Sequence, residues 1–161
     1  MKPSCLQTSQ RGFTLLELIL TIAIIVILAL LVVPKIMNAY PRVAVESEGI
    51  RLRADIAYAQ QLAISNSRSH RVIFDSLGER VRICRVEGEN LVSVSERELA
   101  NRVDLASTTF AGGYVEFNLL GEPSAGGTVT LHGVDGPAVT VTVTVKPGTG
   151  LVTVTCDGKE L

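Results

Sequence analysis

The sequence has few of the residues on which catalytic and ligand-binding sites depend. Tryptophan is absent, and the chain contains only four Phe, three Tyr and two His residues. With so few aromatic side chains, stacking platforms for bases or sugars are scarce. The histidines, His70 and His132, have no Cys or acidic residue at the spacing of a metal site, so we interpret both as half-exposed strand residues. Serine-hydrolase and phosphate-loop motifs are missing as well. We therefore predict no enzymatic activity, no metal and no cofactor.

Acidic residues are also missing from the start of the chain. Residues 1–12 contain Lys2 and Arg11 but no acid, and an apolar segment begins directly after Gly12. This segment, residues 13–33, is long enough to cross a bilayer core, which requires about 20 apolar residues of helix. We predict a single span with the basic leader on the cytoplasmic side.

Glu17 is the only charged residue of that apolar segment. A carboxylate in a spanning helix costs up to about 3 kcal/mol at the bilayer centre, so we expect it to have a cationic partner. The next cation along the chain, Lys35, lies beyond the far end of the segment. Cleavage after Gly12 would create an α-amine on Phe13, one helical turn from Glu17. That amine could neutralise the acid within one subunit or between two staggered subunits.

After the apolar segment, the pattern predicts a continuing helix. Pro34 and Pro41 interrupt it, but a proline kinks a helix without necessarily ending it. Beyond Gly49 the apolar residues recur at helical spacing, at Leu52, Ile56, Ala59 and Ala63. We assign residues 13–33 and 34–66 to the two halves of this helix.

Residues 67–161 are predicted to form a β-rich domain. Alternating apolar and polar residues predict strands at 70–75, 80–85, 91–95, 114–117, 128–132, 139–145 and 151–155. Residues 96–107 are charged and lack a clear pattern, so we expect a loop or a short turn of helix there. The Val/Thr alternation of 139–145 predicts a valine face that covers the alanine-rich stripe of the helix. The predicted fold class is α+β, with one long helix followed by antiparallel strands.

The N-terminal pattern resembles a known signal. Residues 12–17, G-F-T-L-L-E, with the apolar run behind them, resemble the class III signal of type IV pilins and type II secretion pseudopilins. The resemblance implies that a prepilin peptidase cuts between Gly12 and Phe13 and that Phe13 is N-methylated. It further implies filament docking through Glu17 and a helix kink at Pro34.

Later segments resemble GspH/FimT-type minor pseudopilins and pilins. They are the helix end at 56–64, the F-x-x-x-G segment at 117–121 with G-G-T at 126–128, and T-G-x-V at 149–152. The implied fold is pilin-like, with a transmembrane helix that extends into a periplasmic domain of antiparallel β-sheet.

The resemblance implies a structural subunit. The leading interpretation is a minor pseudopilin near the tip of a type II secretion pseudopilus. Its expected partners are other pseudopilins or pilins, the prepilin peptidase, the inner-membrane assembly platform and membrane lipid. The expected location is the bacterial inner membrane, with the N-terminus cytoplasmic and the C-terminal domain periplasmic.

The alternative is a FimT/FimU-type minor pilin of a type IV pilus, with a ligand- or DNA-binding role. DNA binding requires basic side chains for phosphate contacts. Residues 13–161 carry a net charge of −3, because the leader removes two basic residues and no acid. Leu151 also stands where a DNA-binding member would be expected to carry arginine. Nucleic acid is therefore not an expected partner.

Cys84 and Cys156 form the candidate disulfide, because Cys5 leaves with the leader. The resemblance and an oxidising periplasm favour the bond. Strand alternation opposes it, since Cys156 follows inward-facing valines and Cys84 follows arginines. Both alternatives stay open from the sequence.

Three arginines lie along one predicted strand, Arg80, Arg82 and Arg85, with Arg71 nearby. We interpret them as one solvated face of a sheet. A surface for an acidic partner is the alternative.

Overall fold

The computed structural model describes residues 14–134 and 139–161, and the side chains of residues 30–40 are not described. Packing divides the chain into two units, residues 1–37 and 38–161. Each unit is described by itself.

Helix α1 is Leu15–Asn66. In the second unit the predicted stripe is confirmed: Leu52, Ile56, Ala59 and Ala63 are each at most 1% exposed. A fully buried Leu or Ile contributes about 1.5–3 kcal/mol relative to an exposed one. The helix ends before Ser67, whose φ is 49°. The amide of the next residue then donates to the Ala63 carbonyl at 3.3 Å, which closes the last turn.

The strands that follow are β1 (His70–Asp75), β2 (Arg80–Glu87), β3 (Asn90–Glu98), β4 (Val103–Thr108), β5 (Tyr114–Phe117), β6 (Gly127–Gly133), β7 (Thr140–Val145), β8 (Val152–Cys156) and β9 (Lys159–Glu160). A 3-10 turn at Ala111–Gly113 precedes β5. The strands form two sheets, with strand orders β3-β2-β1-β5 and β4-β6-β7-β8-β9. Every pairing between neighbouring strands is antiparallel. The predicted α+β class is confirmed.

The predicted loop at residues 96–107 is wrong in most of its length. β3 continues to Glu98, and β4 begins at Val103. The charged residues that obscured the strand pattern at the end of β3 form ion pairs across strands. Glu96 and Glu98 both lie beside Arg80 of β2. Charge at these positions therefore indicates cross-strand ion pairs.

The valine face of β7 packs on the helix as predicted. Val141, Val143 and Val145 are at most 1% exposed, while the intervening threonines are half-buried. The sheet lies so close to Gly49 that a Cβ there would clash with Cγ1 of Val141 and lie 3.3 Å from Cγ1 of Val154. Glycine is thus required in α1 because any side chain would push sheet and helix apart.

Candidate functional site

The first described residues form a capped helix start. The Thr14 hydroxyl accepts a hydrogen bond from the Glu17 amide at 3.2 Å, and the Thr14 carbonyl accepts one from Leu18 at 3.1 Å. This is the arrangement of an N-cap, and the carboxylate of Glu17 lies in the first turn, where the helix dipole favours an acid. The cap uses the backbone of Glu17 and leaves its side chain available.

The side chains around Glu17 are aliphatic and exposed. Leu15 and Leu16 are 76% and 77% exposed, and the larger side chains as far as Leu28 are also exposed. In the part of the chain whose side chains are described, no helix is long and apolar enough to cross a membrane. The predicted span, residues 13–33, extends beyond that part at both ends.

Three predicted site residues cannot be placed. Gly12 and Phe13 lie outside the described residues, and the side chain of Pro34 lies among those not described. Cleavage, N-methylation and the kink therefore stay predictions.

Three of the four segments that resemble GspH/FimT-type proteins meet at one helix residue, Gln60. Its amide nitrogen donates to the Gly121 carbonyl at 2.8 Å and to the Thr149 carbonyl at 3.3 Å. Both nearby glycines have positive φ, 80° at Gly121 and 67° at Gly150. A Cβ at either position would press on Gln60 or Ile64. These motifs therefore serve the fold, by tying two turns to the end of α1.

A buried ionic cluster was missed at the sequence level. Glu48 on α1 is 1% exposed and is hydrogen-bonded to the Arg97 guanidinium of β3 and to the Ala100 amide. Arg97 also donates from Nε to Asp55 at 2.6 Å. The pKa of Arg97 is raised, because these two carboxylates outweigh the opposing effect of burial. A signal was present, since Glu48 lies four residues before Leu52 on the apolar stripe.

The candidate disulfide between Cys84 and Cys156 is not formed, and both thiols are free and buried. Cys84 pairs with Arg71 in one sheet, and Cys156 pairs with Val141 in the other. Cys84 has the parity of the outward-facing Arg82, whereas Cys156 faces the core. The parity argument against the bond is therefore the correct one, because the two side chains leave different sheets on unlike faces.

The Cys156 thiol is held by α1. It donates to the Glu46 carboxylate at 3.3 Å, and Arg42 lies 3.8 Å from the sulfur and 2.8 Å from that same carboxylate. Burial, reinforced by the hydrogen bond to Glu46, raises the pKa of Cys156 to about 11. The thiol therefore stays protonated and unreactive at neutral pH.

Two arginines of the first sheet, Arg71 and Arg80, are neutralised within the chain. Arg71 donates twice to Glu116, at 2.8 and 3.1 Å, and lies 4.1 Å from the Tyr114 ring centre. Arg80 forms ion pairs with Glu98 at 2.8 Å and with Glu96 at 3.5 Å. These pairs favour the solvated-face interpretation over a surface for an acidic partner.

One part of the arginine prediction is wrong. Arg85 lies opposite buried His70 in the β1–β2 pairing and has the parity of Val81 and Ile83. It therefore faces the opposite side of the sheet from Arg80. Its Nη2 lies 2.7 Å from Glu87.

Both histidines lie in strands, as predicted, but His70 is not half-exposed. His70 is 1% exposed, because it shares the inward parity of Val72 and Phe74, and its Nδ1 lies 2.8 Å from the Arg68 carbonyl. His132 is exposed. Within residues 14–134 and 139–161, no group of three His, Cys, Asp or Glu side chains could hold a metal ion.

Comparisons with known proteins match both the N-terminal signal and the chain as a whole. The family model of the prokaryotic N-terminal methylation motif matches residues 7–33. The chain is also 32% identical over 145 residues to competence protein ComGD of Bacillus subtilis strain 168, which covers 90% of this chain and 93% of that protein.

Solved structures match the fold. One is the minor pseudopilin EpsH from the type 2 secretion system of Vibrio cholerae, with a TM-score of 0.61 at 12% identity, covering 71% of this chain and 98% of that one. Another is the type IV minor pilin FimU of Pseudomonas aeruginosa PAO1, with a TM-score of 0.59 at 14% identity, covering 73% and 92%. The predicted pilin-like fold is thereby confirmed.

Proposed function

This chain belongs to the type IV pilin and pseudopilin family, and we propose that it is a minor structural subunit of a membrane-anchored filament. One observation carries the proposal: a single chain joins an N-terminal methylation motif at residues 7–33 to a domain with the fold of minor pseudopilins and minor pilins. The role is assembly, and no catalytic step is assigned to the domain.

We favour a competence filament over the type II secretion pseudopilus that the sequence suggests. The relative at 32% identity is a competence protein, and it matches along almost the whole chain. The likeness to the pseudopilin is at 12% identity and supports only a shared fold. The secretion pseudopilus is the second candidate.

Glu17 is the residue to which we assign subunit docking. The peptidase removes residues 1–12 and leaves a cationic amine on Phe13. The apolar segment holds the processed chain in the membrane, with the N-terminus cytoplasmic and the domain on the opposite, periplasmic side. An incoming amine then neutralises the Glu17 carboxylate of a subunit already packed, since an unpaired acid in an apolar layer is unfavourable.

The test separates assembly from folding. Glu17→Ala should reduce cross-links to other filament subunits by about tenfold or more, which corresponds to 1.4 kcal/mol of lost docking free energy. Membrane insertion and thermal unfolding of the domain should be unchanged, because the Thr14 cap depends on the backbone of residue 17. Glu17→Asp should be intermediate, since it keeps the charge and loses reach.

Thr21→Ala is the matched control, because it removes the next polar side chain along α1, a half-buried hydroxyl that donates to the Leu18 carbonyl at 2.8 Å. It should assemble normally. Normal incorporation of Glu17→Ala together with a degraded domain would show that the acid serves the subunit's own stability, and the docking role would have to be dropped.

DNA contact by this subunit is a separate question for a competence filament. We expect residues 42–161 to bind duplex DNA weakly and without saturation at physiological salt, because Arg71, Arg80 and Arg85 are already paired with acids. A gel-shift titration at two salt concentrations measures this. A tight, salt-sensitive shift that disappears in Arg80→Ala/Arg82→Ala would overturn the expectation and assign DNA capture to this sheet.

A further inference from the structure

The outer edge of β3 is open. β3 pairs with β2 on one side, and within the described residues no strand pairs with its other side. The opposite edge of the same sheet is covered, because the Ser124 amide donates to the Glu116 carbonyl at 2.7 Å and Pro123 bridges to Phe117. In the second sheet, edge strand β9 has only two residues. β3, with nine, is the longest edge strand of the described fold.

The first part of this edge is uncharged and aliphatic. Residues 90–95 are N-L-V-S-V-S, without charge or proline. Leu91, Val92 and Val94 are 42%, 39% and 43% exposed. A register shift leaves Val94 as the extra residue between Ser93 and Ser95, but Asn90 to Ser93 stay in regular register with β2.

Such an edge is unusual in a protein that stays soluble. Open strands with β-branched residues are templates for pairing with another chain, and proteins usually block them with lysine, proline or strong bulges. The β3 edge has a single bulge and neither of the other devices in its first six residues. The lack of protection indicates that another strand covers it.

The charges at both ends argue against a second copy of β3 as the occupant. If residues 90–95 paired antiparallel with themselves, Glu89, which directly precedes β3, would lie opposite Glu96. This clash would occur twice across the pair, and like charges directly opposite each other are destabilising. Self-pairing is therefore disfavoured by the same residues that flank the open edge.

Acid stays available to a neighbour at both ends: Glu89 has no ion pair within the described residues, whereas Glu87 is already paired with Arg68 and Arg85. Glu96 and Glu98 share one cation, Arg80. Arg97 is engaged on the other face, with Glu48 and Asp55 on α1. A strand with basic residues at its ends would meet opposite charges at both ends of the edge, while its aliphatic residues cover the valines.

We propose that the open edge of β3 binds an extended strand of a different protein, with aliphatic side chains at alternate positions and Lys or Arg at both ends. Backbone hydrogen bonds supply affinity, and the acidic flanks select the partner. The inference rests on the edge itself and holds whichever filament the subunit joins.

The test uses full-length protein in detergent micelles and three labelled peptides. The first is Lys-Val-Thr-Val-Thr-Val-Lys, the second has Glu at both ends, and the third is the basic peptide with alternate backbone nitrogens methylated. The basic peptide should bind saturably in fluorescence anisotropy and slow amide exchange at residues 90–95. The acidic and methylated peptides should bind at least about tenfold more weakly, through charge repulsion and loss of donors respectively.

Val92→Lys/Val94→Lys should also weaken the basic peptide by about tenfold, whereas Leu77→Lys should not. Leu77 is the matched control because it is 98% exposed in the β1–β2 turn. Equal binding of all three peptides, or binding without protection of residues 90–95, would overturn the inference. It would equally be overturned by dimers of the full chain that the double lysine variant abolishes. The methylated peptide keeps the test decisive if the double variant does not fold.

Discussion

The two stretches of α1 are both rich in aliphatic residues but use them differently. From Leu15 to Leu28 the large side chains are between 49% and 77% exposed. From Val45 to Ala63 the stripe that faces the sheets is at most 1% exposed. The two stretches belong to different packing units of the chain.

This difference in exposure separates the residues that we expect to act in assembly from those that stabilise the domain. Buried aliphatic residues stabilise the domain by leaving water. The exposed aliphatic side chains of the first stretch gain nothing comparable from their own chain, and a contiguous apolar surface of this kind indicates a membrane or protein interface. We therefore expect substitutions in the first stretch to change processing and assembly, and substitutions in the second to change unfolding.

The largest expected effect lies in the leader. Gly12→Leu should abolish cleavage, because the peptidase implied by the signal requires a small residue there, and all filament incorporation should be lost. Mass spectrometry should find uncut precursor in the variant and N-methyl-Phe13 in the unmodified chain, while unfolding of the domain stays the same. Gln10→Leu, also in the leader, should be cleaved normally. An intact Met1 in the unmodified protein, in cells with active peptidase, would contradict the prediction.

The second-largest expected effect is a loss of stability of the β-rich domain. Arg97→Ala leaves the buried Glu48 without its cation, and removing one partner of a buried pair costs about 3–5 kcal/mol. Arg80→Ala is the control, because Arg80 is exposed and pairs only with exposed acids, so about 0–1 kcal/mol is expected. Denaturant unfolding measures both, and peptidase cleavage should stay normal. Equal losses of unfolding free energy in the two variants would show that the cluster around Glu48 stabilises the domain no more than an exposed ion pair does.

The smallest effect concerns Cys156. Its pKa is raised to about 11 from an ordinary value of 9.0, so the folded state favours the protonated thiol. This contribution is fully present below pH 9.0, and it is lost as the pH rises towards 11. The stability difference between the unmodified chain and Cys156→Ala should therefore shrink over that interval in thermal unfolding. Cys84→Ala is the comparison variant, and an identical pH dependence in both would contradict the assignment.

Much of the fold can be predicted from the local period of the chain. The alternation in β1 and β7 and the spacing of Leu52 and Ile56 each depend on a few consecutive residues, so the elements are visible without tertiary information. The end of β3 is not, because its charged residues make sense only beside Arg80 on another strand. His70 likewise resembles a surface residue until its parity with Val72 places it inside.

The sequence by itself determined the N-terminal signal, the single acid at Glu17 and the order of helix and strands, because these are properties of consecutive residues. Only the tertiary structure decided that Glu48 is neutralised by Arg97 and that Cys84 and Cys156 stay apart. It also decided that no described strand covers the outer edge of β3. The physical reason is that such pairings depend on which sheet a strand joins and which face its side chains take, and residues distant in sequence set both.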